Sequence, residues 1–214
     1  LFIGNDFWKS VEKLTLAIVP ETERLKSVTQ QIADVAEAAH KAGAETALII
    51  GPNKSSVYAD KLPTGLVPAQ TRYISPFISE LNAVPHLLTI EPTSLLVEKR
   101  NTEGLLYWRT DTHWNHKGAF LVFESMIEQL GYVVPEPSFE LKGSRKGDLI
   151  GLSGLEDFPI TPGDHWKFEV PNLTDAVKEP HPDGAKRGWR GIIRNSGAVN
   201  DRVAWVVGDS FTNA

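Results

Sequence analysis

Cysteine is wholly absent from the 214 residues. That excludes disulfides, thiolate metal sites and cysteine nucleophiles together, and leaves the redox compartment open. A basic surplus is missing as well: 22 lysines and arginines stand against 27 aspartates and glutamates, a formal net charge of −5. Such a chain lacks the electrostatic footprint of a nucleic-acid binder, and a polyanion would have to meet a local basic patch. Apolar runs are short, none approaching the ~18–20 residues of a membrane helix. Neither internal repeats nor low-complexity tracts are present. No signal-like segment opens the sequence, but its first residue is Leu1 rather than methionine and it ends abruptly at Ala214. The expectation is a trimmed fragment whose export signal or anchor has been removed.

What is there suffices for one substantial domain, because 41% of the residues are hydrophobic and the length allows a full core. Leu25, Val28, Ile32, Val35 and Ala39 recur at steps of three or four, which predicts a helix over 21–42 with Gly43 as its stop. A second helix is predicted over 116–131, where Ala119, Phe120, Phe123, Met126, Ile127 and Leu130 recur and Gly131 closes the pattern. Three short runs are apolar on both faces and read as buried parallel strands: Thr46 to Ile50, residues 86–92, and Val203 to Val207. Strands alternating with amphipathic helices define an α/β layered domain with a mostly parallel sheet. Residues 132–195 differ, being rich in proline and glycine. Their short runs "SFELKG" and "WKFEV" predict irregular or small antiparallel β excursions rather than a second domain.

Two dense clusters carry the chemistry. In "VVGDSFT" Ser210 follows the third apolar run directly, and open α/β sheets bind ligands at the carboxyl ends of their strands. Small and polar neighbours suit a tight strand-to-helix turn, in which the hydroxyl stands proud and the following N–H groups face a developing oxyanion. "YWRTDTHWNHKGA", residues 107–119, offers that serine a base. Asp111 can accept the Nδ1–H of His113, which leaves Nε2 free to take the serine proton. His113 and Ser210 are 97 positions apart, so only the fold can pair them. Each piece also has a plainer reading. Gly-Asp-Ser occurs in ordinary turns, Asp111 or Thr112 could cap the helix that follows, His116 could be a solvated polar residue, and Trp114 could simply pack.

The two blocks carry a family resemblance. "VVGDSFT" resembles the nucleophile block of the SGNH (GDSL-type) hydrolase superfamily. "YWRTDTHWNHKGA" resembles the Asp-x-His-Trp block of its permuted branch, the bacterial polysaccharide O-acetyltransferases typified by the alginate acetylation proteins AlgJ and AlgX. Ordinary members place the serine block first; here it comes last, as in that branch. "LFIGND" is similar to the branch's opening segment. "LIIGPNKSSVYADKLP" (48–63) is similar to its strand, Pro-x-Lys turn and Tyr-containing extended segment.

The resemblance implies a single three-layer α/β/α SGNH-hydrolase-like domain over 1–214, with a mostly parallel central sheet and 132–200 as a variable insertion. It implies Ser210 as nucleophile, His113 as general acid/base and Asp111 as the orienting carboxylate. Gly208, Asp209 and Phe211 would support the serine turn and its oxyanion-stabilising amides, with Asp209 read as structural. The implied reaction is O-acetylation of an exported alginate-like polysaccharide, or the matching acetyl ester hydrolysis, through an acetyl-serine. With it come a periplasmic location, an acetyl donor supplied by a membrane-bound acetyltransferase, and neighbours in the exopolysaccharide machinery. That chemistry requires no metal or organic cofactor. Lys54, Arg109, Trp114 and Lys117 are candidates for substrate binding, and the cations among them, with Arg145 and Lys146, could form a basic patch for an acidic polymer.

Two other classes compete. A metal-dependent phosphoesterase could use Asp111, His113 and His116, with Asp209 as a second carboxylate and Asp164 and His165 from "PGDHW", since two-metal sites are built from such pieces. Against it, no Gly-Asn-His-type block and no later His-x-His is present. A non-catalytic polysaccharide-binding domain could stack sugars on some of the six tryptophans, Trp8, Trp108, Trp114, Trp166, Trp189 and Trp205. Trp205, inside the third run, is expected in the core.

Overall fold

The computed structural model describes residues 9–143, 146–154, 157, 159, 164–171, 176–180, 191–196, 198 and 202–213. The opening "LFIGND", Trp8, Arg145 and Trp189 lie outside them. The elements in order are α1 (Ser10–Thr15), α2 (Thr22–Lys41), β1 (Thr46–Ile49), α3 (Lys54–Val57), α4 (Ser75–Leu81), β2 (Leu87–Ile90), α5 (Thr93–Lys99) and α6 (His116–Gln129). They continue with β3 (Ser138–Leu141), α7 (Asp148–Ser153), β4 (Trp166–Glu169), β5 (Ala176–Pro180), β6 (Gly191–Asn195) and a closing 3-10 turn, Ser210–Asn213. Among these residues no helix is long and apolar enough to cross a membrane.

The two long helices end alike. After α2 the Gly43 N–H donates to His40 O and the Ala44 N–H to Ala39 O. After α6 the Gly131 N–H donates to Glu128 O and the Tyr132 N–H to Ile127 O. Both glycines sit at positive φ, 78° and 82°, the left-handed turn that satisfies a helix's last carbonyls and that a Cβ would strain.

β1 and β2 pair in parallel, Thr46 beside Leu87 through Ile49 beside Ile90. Registered neighbours share a face and successive residues alternate. Ile49, Leu88 and Ile90 therefore turn together onto the main core with Val57 of α3, Leu96 of α5 and Val122 of α6. The alternate residues face the side where α2 packs on β1 and α4 on β2, closed by the fully buried Ala36 and Leu81. The result is an α/β domain with helices on both sides of a parallel sheet. "SFELKG" and "WKFEV" meet as the antiparallel pair β3–β4, with Phe139 beside Phe168.

Two expectations are corrected. The segment around Tyr58 that follows the Pro-x-Lys turn, expected to be extended, instead forms α3 and a 3-10 turn (Ala59–Lys61), with the Asn53 carbonyl accepting from the Ser56 and Val57 amides. The run Val203 to Val207 is not a buried strand. Among the described residues no strand pairs with it, and without that pairing an apolar run stays in solvent: Trp205 is 92% exposed and Val207 96%. Trp205 is thus outside the core. The run is tied at both ends to β1 nevertheless. Arg202 reaches Glu45, just before β1, at 2.5 Å, and the Phe211 ring lies on Gly51, just after it.

Candidate active site

Residues 105–115 fold back on themselves as a narrow loop. Tyr107 and Trp114 form an antiparallel bridge, the Asn115 N–H donates to Leu106 O at 2.9 Å and the Trp108 N–H to His113 O at 3.3 Å. Buried Leu106, Tyr107 and Trp108 hold the outgoing arm in the core. The Tyr107 hydroxyl donates to Pro52 O at 2.6 Å. Asn115 holds the other end. Its Oδ1 accepts from the Lys117 and Gly118 amides at 3.1 and 3.0 Å, and its Nδ2 donates to Leu105 O and Asp164 O. The cap of α6 is therefore Asn115, and Asp111 and Thr112 are left free of that task.

Asp111 turns its carboxylate to His113. Oδ1 accepts from the His113 amide at 3.0 Å and lies 2.5 Å from ring Nδ1, while Oδ2 accepts from the Asp148 amide at 3.4 Å. Burial alone would raise the Asp111 carboxyl. The bonds from the His113 amide and ring outweigh it and hold the group below the usual carboxylate range. With Nδ1–H given to Asp111, Nε2 accepts, and it stands 2.7 Å from Ser210 Oγ. The structure thus brings Asp111, His113 and Ser210 into one line. Exposure rises along it: 7% for the Asp111 side chain, 21% for His113, and Ser210 is exposed.

The serine turn is pinned from several sides. Asp209 Oδ1 accepts from the Phe211 amide at 2.9 Å and Asp209 O from the Thr212 amide. The Trp114 indole N–H donates to Phe211 O at 2.9 Å, and the Phe211 ring meets Trp114 edge-on with centroids 5.1 Å apart. A Cβ at Gly208 would lie 1.7 Å from Thr212 Oγ1, and one at Gly51 2.9 Å from the Phe211 ring. Only glycine admits these approaches. One expectation is corrected here: the Phe211 amide is spent on Asp209, so it does not face an oxyanion in this conformation.

Three of the four candidate substrate-binding residues are committed elsewhere. Lys54 Nζ donates to Trp108 O, Arg109 O and Asp111 O at 2.6, 3.0 and 3.2 Å. Lys117 pairs with Glu103 at 2.8 Å and lies 4.7 Å over the Trp166 ring. Trp114 is buried, 5% exposed, and serves as the clasp on the serine turn rather than as a sugar platform. Arg109 is exposed; its backbone N–H donates to Asp164 Oδ2 at 2.6 Å and its carbonyl accepts from Lys54.

The residues weighed for a two-metal site do not converge. The His116 ring lies 2.6 Å from Trp166 O, the His165 ring packs edge-on against Trp108, and Asp164 is fully buried under the Arg109 amide. Asp111, His113 and Asp148 do approach metal-ligand spacing, with their atoms within 4.8 Å, but these groups are satisfied by one another and by Thr112.

Asp148 joins the site from outside both sequence clusters. Its carboxylate accepts from the Thr112 amide at 2.9 Å and the Thr112 hydroxyl at 2.6 Å, and comes within 3.9 Å of His113 Nδ1. The Gly147 amide donates to Thr110 Oγ1 and the Leu149 amide to Thr110 O, which stitches the start of α7 to the Asp/His loop. Nothing in an irregular stretch over 30 residues downstream marks this in the sequence. Asn115 was legible, since asparagine before an apolar helical pattern is a capping signal.

Fold and site together define a serine-containing SGNH hydrolase-like α/β domain. The sequence model of a family described as "SGNH hydrolase-like domain, acetyltransferase AlgX" matches residues 2–178, and the chain belongs to that family. Among solved structures, Bacillus cereus PatB1 is similar at 15% identity and TM-score 0.53, covering 83% of this chain and 60% of that one. PatB1 with a sulfonyl adduct gives 14% and 0.54, covering 80% and 56%. The O-acetyltransferase domain of Pseudomonas putida AlgJ gives 19% and 0.49, covering 74% and 62%. The chain thus spans less than two thirds of the length of these neighbours. No curated protein sequence matches it.

Proposed function

We propose that this chain is a serine-dependent O-acetyltransferase, or an acetylesterase of the same chemistry, acting on an exported alginate-like bacterial polysaccharide. The observation that carries the reading is the unbroken relay from Asp111 through His113 to Ser210 Oγ, with contacts of 2.5 and 2.7 Å. In the first half-reaction His113 Nε2 takes the hydroxyl proton as Ser210 Oγ attacks an acetyl carbonyl. The imidazolium is held by Asp111 and returns the proton to the leaving group, so that an acetyl-serine remains. In the second, His113 deprotonates a sugar hydroxyl, or water, which takes the acetyl from Ser210. Because the Phe211 amide is engaged by Asp209, the Ser210 amide is left, of that pair, to meet the oxyanion.

Membership of a family described as acetyltransferase AlgX supports acetyl as the group carried. A periplasmic location, a membrane-bound supplier of acetyl groups and partners in exopolysaccharide export belong to the same reading. Exposed Arg109, next to the Asp/His loop, is its first candidate contact for an acidic polymer.

Release of p-nitrophenol from p-nitrophenyl acetate, with Ser210→Ala and His113→Ala alongside, tests the serine step. Both variants are expected to lose turnover. Wild-type rates in the variants, or turnover that chelators abolish and divalent metal restores, would overturn the reading. Mass spectrometry of alginate-like oligosaccharides supplied with an acetyl donor then separates transfer from hydrolysis.

A further inference from the structure

We propose that Lys54 is a positioning residue for this site: its ammonium gathers the Trp108, Arg109 and Asp111 carbonyls and thereby sets where Asp111 and His113 stand against Ser210. The inference rests on the serine reading above. An ammonium has three donors, and here each meets one carbonyl, at 2.6, 3.0 and 3.2 Å. The segment that carries Lys54 also touches the other half of the relay. Gly51 receives the Phe211 ring beside Ser210, and Pro52 O accepts from Tyr107 at the base of the Asp/His loop. Residues 51–54 are thus the common footing of two blocks that lie 97 positions apart.

The clamp depends on charge. Burial pushes the Lys54 ammonium down to about 8, against the opposing pull of Asp111, Asp164 and Asp148, with Arg109 adding a little to the depression. A neutral amine keeps two N–H groups and turns a lone pair on the third carbonyl, so the clamp loosens as pH rises through that value. Stability moves the other way. The folded state binds fewer protons than the unfolded one between about 8 and the ordinary lysine value near 10.4, so Lys54 makes the fold relatively more stable with rising pH in that window. A fall in reactivity there is therefore not explained by unfolding through this residue.

The test uses phenylmethylsulfonyl fluoride and intact mass over pH 6–10. Ser210 Oγ bonds to sulfur, fluoride leaves, and His113 takes the hydroxyl proton. Wild type is expected to label more slowly above pH about 8, reversibly. Lys54→Met should label about 10–100-fold more slowly at pH 7, the scale of a small misplacement of reacting groups, with no inflection near 8. Lys54→Arg keeps the charge but not three convergent donors; it should be intermediate and also lack the inflection. Lys54→Met labelling at the wild-type rate with the wild-type profile would overturn the proposal. Failure of wild type to label at any pH would instead strike the serine reading. The clamp is then read by hydrogen exchange of the Trp108 and His113 amides, expected to be about tenfold or more faster in Lys54→Met, a scale set by the loss of one charge-assisted bond. Unchanged protection there would overturn it independently.

Discussion

Asp111→Asn keeps the shape of the side chain and removes its charge. All three partners of the native carboxylate are donors: the His113 amide and ring on Oδ1, and the Asp148 amide on Oδ2. An amide can accept on one side only. Its oxygen should stay on the His113 side, where two short bonds are at stake, and its NH2 should turn to the long 3.4 Å contact with Asp148. The tautomer of His113 then survives, and what is lost is the negative charge beside the imidazolium. A unit charge about 4 Å away at an effective dielectric near 20 is worth ~4 kcal/mol, of which the amide dipole recovers part. The expected fall in kcat/KM for an acetyl ester is about 10²–10³-fold, smaller than the ~10⁴-fold of a wrong tautomer. A rate within about threefold of wild type would refute the assignment of Asp111 as the imidazolium's support.

The same substitution has a pH signature. Hydrogen bonds hold the folded Asp111 carboxyl below its usual range despite burial. A depressed folded value contributes stability above the unfolded value, about 3.9, and that contribution is lost as pH falls through the folded one. Urea denaturation should therefore show Asp111→Asn less stable than wild type by about 1–3 kcal/mol at pH 7, with the gap closing in the acid range. A gap unchanged between pH 7 and pH 3 would show that the carboxylate's bonds are not its source.

Gly147→Ala would put a Cβ 2.4 Å from Asp111 Cβ and 2.6 Å from Thr110 O; esterase turnover should drop, with a stability loss of about 1–3 kcal/mol by thermal melting. Asn115→Ala removes the α6 cap and leaves Leu105 O and Asp164 O without their donor; urea denaturation should show a loss of about 2 kcal/mol or more. Trp114→Phe deletes the indole donor to Phe211 O; slower sulfonylation of Ser210 is expected, since the serine turn loses one of its ties to the Asp/His loop.

Local pattern made much of this molecule legible. The spacing of Leu25 to Ala39 and the glycine after each long helix place α2 and α6, because helix periodicity and left-handed stops are properties of neighbouring residues. The two-residue step from Asp111 to His113 made the carboxylate–imidazole contact readable for the same reason. The partners of Lys54, Lys117 and Trp114 are not legible in the sequence because they lie elsewhere in the chain, and a cation's type does not say whether carbonyls or a glutamate already hold it. Asp148 is not legible in the sequence because its contacts to Thr112, Asp111 and His113 are all made across the fold. In Val203 to Val207 the apolar pattern records a capacity for burial, and a paired strand is a separate condition.

The gradient of exposure through the relay suits the part each group would take in the proposed reaction. A carboxylate holds an imidazolium most strongly where water cannot compete, and Asp111 is the most enclosed of the three. The histidine would have to meet both that carboxylate and an incoming hydroxyl, and its side chain is partly open, at 21%. In the proposed reaction the serine would accept an acyl group and then present it to an acceptor whose chain continues on both sides of the reacting sugar. A nucleophile at the floor of a deep pocket could serve a small ester but not the middle of a polymer. Ser210 instead stands on an exposed turn, held by Trp114 and by Phe211 against Gly51, with its hydroxyl on His113 Nε2.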